Sequence, residues 1–294
     1  MIGATGESAS EEISAVSETL FLPLYSLALE SQRRNPIMVD EQAVALTRRL
    51  DEYFSGSPKR VFRLLSRGSL PGLLLTTMTL RIRQFDRFVV DFLKRVPDGI
   101  VVNLGCGLDD RRRRVDNGRL RWFDVDFPEV IALRRRFLPE TERMRFIASS
   151  VLDLEWLDQL PTEPGSAYLF VAEGLLMYLP PEGVRALVTT LSTRFPGCEL
   201  VAEVAGAQIV RMSNSPLGRG KFKRQFGLSE NVVFQFGVED SFEFESWGPG
   251  IEFLGDWSYF EEDEPKLGWM RLFSGWRLVR WSQWIVRYRL GGRR

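Results

Sequence analysis

The chain has 294 residues, enough for one α/β domain with elaborations, and its 39 Lys plus Arg balance 39 Asp plus Glu, so no overall field draws it toward nucleic acid or an anionic membrane. It contains no histidine, which excludes Ser-His-Asp triads, Cys-His dyads and most zinc sites, because each relies on an imidazole. Two cysteines, Cys106 and Cys198, make no disulfide scaffold and fit a reducing, cytoplasmic home.

The N-terminal stretch is small, polar and acidic, without the basic and apolar regions of a secretory signal. The longest apolar run, 70–80, is roughly half the ~20 residues a membrane span requires. Apolar positions at three-to-four spacing predict helices over Ala43–Phe54 and Arg83–Arg95. Ile100–Leu104 then reads as a buried parallel strand ending at a glycine turn. Further strands are expected at Leu120–Val125, Met144–Ala148, Ala167–Ala172 and Glu199–Val204, with a proline-initiated helix over Pro181–Thr193. Strand alternating with helix at this spacing implies a doubly wound, mostly parallel α/β sheet. Ile251–Gly255 and Trp276–Leu290 look like an antiparallel closing pair. On this reading residues 1–95 form a helical N-terminal cap of the same domain, 96–294 the core, and 206–240 an insertion after the fifth strand on the substrate side.

The chemistry gathers at strand ends. Gly105-Cys-Gly107 follows the first strand, where glycines let a ligand approach the backbone and the next helix offers free N–H groups. The third glycine of a nicotinamide fingerprint is missing, with acids following the turn, which argues against a dehydrogenase. An acid closes the second strand about 20 positions on, the spacing used to grip ribose hydroxyls, with Asp126 preferred over Asp124. Ser149–Leu154 follows the third strand and Glu173 the fourth. Each signal has a plainer reading, as a tight turn, a strand-end cap or a helix N-cap. Their joint placement outside the carboxyl ends of adjoining strands is what points to one crevice. The arginine runs at 111–114 and 134–136 and the final Arg293-Arg294 read as solvated faces.

The strings Asn-Leu-Gly-Cys-Gly-Leu-Asp, Asp-Val-Asp-Phe-Pro-Glu-Val and Ala-Glu-Gly-Leu-Leu-Met-Tyr-Leu-Pro-Pro-Glu resemble the leucine carboxyl methyltransferase family, and more narrowly its polyketide O-methyltransferase branch. Glu18–Tyr25, Arg81–Asp86 and the final Tyr-Arg-Leu-Gly extend the likeness over most of the chain. The resemblance implies a class I, Rossmann-like methyltransferase using S-adenosyl-L-methionine and releasing S-adenosyl-L-homocysteine, with no metal. It also implies that Gly105, with Gly107 beside it in the turn, lies against the cofactor's methionine portion. Asp126 would bind the ribose, Asp153 and the Leu154 backbone the adenine, Glu173 the amino group, and Arg81 the carboxylate. The family's basic residue in the cap has no clear counterpart here, although Arg33 and Arg34 are nearby. Tyr178 and Glu203 are candidates to touch the acceptor, and Phe222, Phe226, Phe234 and Phe236 among Lys221, Lys223 and Arg224 a candidate lid.

The acceptor is expected to be a small molecule, not nucleic acid. Without histidine, a carboxylate or an acidic phenol, which needs little help from a base, is favoured. A protein C-terminal carboxyl group and a non-catalytic cofactor-binding scaffold remain as alternatives.

Overall fold

The computed structural model describes residues 18–55, 63, 65–68, 70–215, 233–273 and 276–292. Helices α1 (Leu22–Ser31), α2 (Glu41–Tyr53) and α3 (Gly72–Arg95) precede the first strand. α3 starts well before the expected Arg83, at Gly72. Leu74, Leu75, Thr76, Thr79 and Leu80 are all buried, so this half of the helix presents no single apolar stripe to be read. Its threonines back-bond within the helix: Thr76 and Thr77 hydroxyls donate to the Gly72 and Leu73 carbonyls at 3.0 and 3.1 Å.

The core then alternates β1 (Ile100–Leu104), α4 (Arg111–Val115), β2 (Arg121–Asp126), α5 (Pro128–Phe137), β3 (Met144–Ala148), β4 (Tyr168–Ala172), α6 (Pro181–Arg194), β5 (Cys198–Ala205), α7 (Ala207–Asn214), β6 (Glu252–Trp257) and β7 (Gln283–Leu290). Each expected strand of the parallel set is found within a residue of its expected ends. The Trp276–Leu290 stretch is shared between a helical turn at Arg277–Arg280 and β7. Among the described residues the sheet has seven strands in the order β3-β2-β1-β4-β5-β7-β6. β1 to β5 run parallel, while β7 pairs antiparallel with both β5 and β6.

β1, β4 and β5 are buried along their whole length and β2 in its interior, as a covered sheet requires, while the edge strand β3 is buried only in part. On one face Ile100, Val102, Leu104, Tyr168 and Phe170 pack with Trp156, Val184, Leu187 and Leu191. On the other, Val101, Leu169, Val171 and Val201 pack with Phe85, Phe88, Val89 and Phe92 of α3. α3 therefore belongs to both halves of the molecule: its C-terminal half covers the sheet, and Ile82 joins the cap's own apolar cluster of Phe21, Leu24, Leu27, Leu46 and Leu50. Among the described residues no helix is long and apolar enough to cross a membrane.

After β5 the chain leaves through Gly206, where a Cβ would lie 2.2 Å from the Trp281 carbonyl oxygen, so only glycine fits. It returns as Phe234–Val238, with the Val238 N–H donating to Ala205 and the Ala207 N–H to Val238, each at 2.9 Å. Phe236 is core, in a tilted contact with Phe244 and an edge-to-face contact with Trp247. Phe222, Phe226, Lys221, Lys223, Arg224 and Arg293-Arg294 lie outside the described residues.

Candidate active site

Strand register brings the candidate residues to one edge. Leu104 is level with Val125 on β2 and with Ala172 on β4, and Ala172 with Ala202 on β5. The next residues, Gly105, Asp126 and Glu173, therefore come at the carboxyl ends of their strands, level with Glu203, which lies two residues before the end of β5. β1 and β4 straddle the point where the strand order reverses, the usual position of a ligand crevice in a doubly wound sheet.

A cavity of about 220 Å³ opens there between the sheet edge and the cap. Arg81, Gly105, Gly107, Glu173 and Tyr178 line it, while Leu22, Leu24, Leu27, Leu46 and Met78 form its apolar wall. Its charged lining is balanced, with Asp40, Asp109, Asp110 and Glu173 against Arg49, Arg81, Arg111 and Arg114. Gly105 and Gly107 have φ of +63° and +51°, and added Cβ atoms would come within 2.9 Å of Leu175 and 2.5 Å of Leu20. The turn is thus built with its backbone bare.

Asp126, Asp153 and Leu154 are not part of this lining. Asp126 turns its carboxylate onto the glycine turn, accepting from the Gly107 and Phe127 N–H groups at 2.8 Å each. Burial pushes its carboxyl up to about 6, against the pull of those two N–H groups. Asp153 is exposed and Leu154 half-buried at the start of the 3₁₀ turn Leu154–Gln159, beyond β3 and farther along the same edge.

Glu203 does not face the acceptor space suggested for it. It is fully buried, and its carboxylate accepts from Arg81 Nη1 at 3.0 Å, from the Gly174 N–H at 2.8 Å and from the Tyr259 hydroxyl. Burial raises its pKa, with Arg81 opposing. Tyr178 does sit at the cavity, its ring 5.3 Å from Phe234 in an edge-to-face contact. Burial holds the Cys106 thiol well above its ordinary value, so that thiol offers no nucleophile.

The arginine runs are not simply solvated faces. Arg111 is 1% exposed, with Nε donating to Asp86 at 2.7 Å, Nη1 paired with Asp109 at 2.8 Å and Nη2 bound to Glu173. Arg114 pairs with Asp86, Asp109 and Asp40. Arg134 is completely buried, bridging Asp124 at 2.7 Å and the Gly107 carbonyl at 3.1 Å. Asp124, likewise buried, also accepts from Trp122 and Asn103, so it is a structural acid rather than a strand-end cap facing water. Positions 111 and 114, three apart, share one helix face, the signal that could have separated them from their neighbours. Around Arg81, burial would lower the pKa, but Glu203 and Glu173 outweigh it and keep the guanidinium firmly charged. Arg33 pairs with Glu30 and lies outside the cavity lining, so it supplies no cation there.

A bare glycine turn on a carboxyl-edge cavity, with an acid at an adjoining strand end and a charged arginine reaching in from α3, suits a nucleoside joined to an amino acid. The sequence profile described as leucine carboxyl methyltransferase matches residues 23–192. This chain belongs to the leucine carboxyl methyltransferase family. It is 30% identical over 265 residues to the tetracenomycin polyketide synthesis O-methyltransferase TcmP of Streptomyces glaucescens, covering 90% of each chain. It is 25% identical over 310 residues to the S-adenosyl-L-methionine-dependent methyltransferase dpfgK of Gibberella zeae, covering 100% of this chain and 97% of that one. Among solved structures, a DUF574 family protein from Streptomyces avermitilis aligns with a TM-score of 0.56 at 15% identity, covering 92% of this chain and 97% of that one. A putative methyltransferase from Thermobifida fusca aligns with a TM-score of 0.53 at 17% identity, covering 92% and 94%. These likenesses confirm the class I methyltransferase fold expected from the sequence. Among the described residues no group of three or more Cys, Asp or Glu is placed to hold a metal.

Proposed function

We propose that this protein is an S-adenosyl-L-methionine-dependent O-methyltransferase acting on a carboxylate or acidic phenolic hydroxyl of a small, polyketide-like molecule. The observation that carries the reading is the cavity itself, which joins the bare Gly105-Cys-Gly107 turn to the Arg81–Glu173 pair. The donor set fits the cofactor: Arg81 keeps Nη2 without a protein partner among the described residues, and Glu173 shares the cavity wall with it. Arg81 would hold the methionine carboxylate and Glu173 the amino group. Gly105 and Gly107 would leave room for the chain between them and the ribose, Asp126 would take the ribose hydroxyls, and Asp153 with the Leu154 backbone the adenine. S-adenosyl-L-methionine supplies a methyl group on a positively charged sulfur that leaves as a neutral thioether.

The protein's remaining task is alignment in a space closed to water. The leucines and Met78 of the cavity wall exclude solvent, and Tyr178 against Phe234 forms an aromatic wall for a flat acceptor. With no histidine in the chain and Glu203 sealed beneath the site, an acceptor oxygen already ionised near neutral pH fits best. Among the described residues, α1 and α2 serve as the cap, with α3 shared between cap and core, and 207–215 with 233–240 belong to the substrate-side insertion. The polyketide assignment follows from the likeness to TcmP; the balanced charge of the cavity does not favour a basic peptide groove.

The test is incubation with S-adenosyl-L-methionine and three acceptors: an aromatic polyketide acid, a phenol of similar shape, and a peptide ending in leucine. Mass spectrometry before and after mild alkali separates a labile methyl ester from a stable ether. Methylation of the polyketide acid or the phenol alone supports the reading. Methylation of the peptide alone, or of nothing despite cofactor binding, overturns it.

A further inference from the structure

We infer that Glu203 and Tyr259 are positioning residues that aim Arg81 at the cofactor's carboxylate. This rests on the reading of the cavity given above and adds two residues to it that bind no ligand themselves.

A guanidinium is a rigid planar fork, so fixing two of its nitrogens fixes the direction of the third. In Arg81, Nε donates to Glu173 at 2.7 Å and Nη1 to Glu203 at 3.0 Å, and Nη2 is left over on a residue that lines the cavity. Glu173 alone would leave the fork free to swing about one bond. Glu203 supplies the second point and is itself held from two other sides. The Gly174 N–H reaches it because Gly174 takes a φ of +61°, and the Tyr259 hydroxyl donates to its other oxygen.

Tyr259 comes from the turn Tyr259–Glu261 that follows β6, outside the parallel half of the sheet. That segment is clamped to α3, the helix that carries Arg81. Arg83 and Arg87 donate to the two Glu262 oxygens at 2.7 and 2.8 Å. Tyr259 and Glu203 are 5% and 0% exposed and do not line the cavity, so any influence on a ligand passes through Arg81. A buried carboxylate satisfied by three donors is costly to assemble without a use, and holding Arg81 is the use its geometry offers.

The experiment measures calorimetric affinity for S-adenosylhomocysteine and for its decarboxylated analogue, which keeps adenosine, sulfur and amine. Wild type, Tyr259→Phe, Glu203→Gln, Arg81→Ala and the Tyr259→Phe, Arg81→Ala double variant are compared. Tyr259→Phe removes one oxygen and is the variant expected to stay folded if Glu203→Gln does not. Arg81→Ala should weaken S-adenosylhomocysteine by about 10- to 100-fold, and Tyr259→Phe by about three- to tenfold, with the decarboxylated analogue unchanged in both. In the Arg81→Ala background Tyr259→Phe should have no further effect.

Equal weakening of both ligands by Tyr259→Phe, or a full effect persisting without Arg81, would assign Tyr259 to packing and overturn the inference. Unchanged affinity in Arg81→Ala would overturn it while leaving the cofactor site standing. No binding of either ligand to wild type would overturn the site reading as well.

Discussion

Asp40 caps α2 and joins the cap to α4, the helix after the glycine turn, so two substitutions at this position should give two different losses. Its Oδ1 caps α2, accepting from the Gln42 and Ala43 N–H groups at 3.0 Å. The same carboxylate pairs with Arg113 at 2.7 Å and Arg114 at 3.1 Å on α4, directly after the glycine turn. Loss of an N-cap costs about 1 kcal/mol, and asparagine caps as well as aspartate does. The Arg113 pair is worth at most about 1 kcal/mol because Arg113 is 44% exposed and screened. Arg114, its side chain 9% exposed, keeps Asp86 and Asp109, so losing Asp40 costs about 1 kcal/mol rather than the 3–5 of an abandoned buried charge. Asp40→Asn should therefore lower stability by about 1–2 kcal/mol and Asp40→Ala by about 2–3 kcal/mol. Urea unfolding reads both as shifts in midpoint at constant slope. Equal losses in the two variants would mean that the cap contributes nothing, and losses under about 0.5 kcal/mol in both would refute the pinning of cap to turn altogether.

Arg134→Met should cost about 3–5 kcal/mol, because it leaves Asp124 charged and fully buried; adding Asp124→Asn should recover part of that, as a double-mutant cycle by denaturant unfolding would read. Asp126 predicts a pH dependence of cofactor binding. With its carboxyl raised from 3.8 to about 6 by burial, Asp126, the residue proposed to take the ribose hydroxyls, is ionised at pH 7.5 but largely protonated at pH 5. S-adenosylhomocysteine affinity should fall about tenfold over that interval, and Asp126→Asn should flatten the profile. The unliganded protein has the opposite sign: a folded pKa above the ordinary value gives a stability contribution complete below pH 3.8 and lost as pH rises through about 6.

The parallel strands were legible because residues such as Ile100–Leu104 and Tyr168–Ala172 are buried on both faces and read as short unbroken apolar runs. The glycine turn and Glu173 were legible as candidates for the same reason: each follows such a run. The first half of α3 was hidden because burial on several sides erases the three-to-four period. Arg111 and Arg134 were misread because an arginine run looks like a solvated face. Only the fold brings Asp86, Asp109, Glu173 and Asp124, each distant or ambiguous in sequence, within ion-pair reach. Glu203 was visible as an acid on the fifth strand, but its seal depends on Tyr259, 56 residues later.

Calorimetric titration of the wild-type protein with S-adenosylhomocysteine tests the central claim most directly. A single saturable site per chain, weakened by Arg81→Ala, is the result expected of a cofactor cavity between the glycine turn and the Arg81–Glu173 pair. The absence of heat at ligand concentrations up to the millimolar range, with the protein folded, would contradict it.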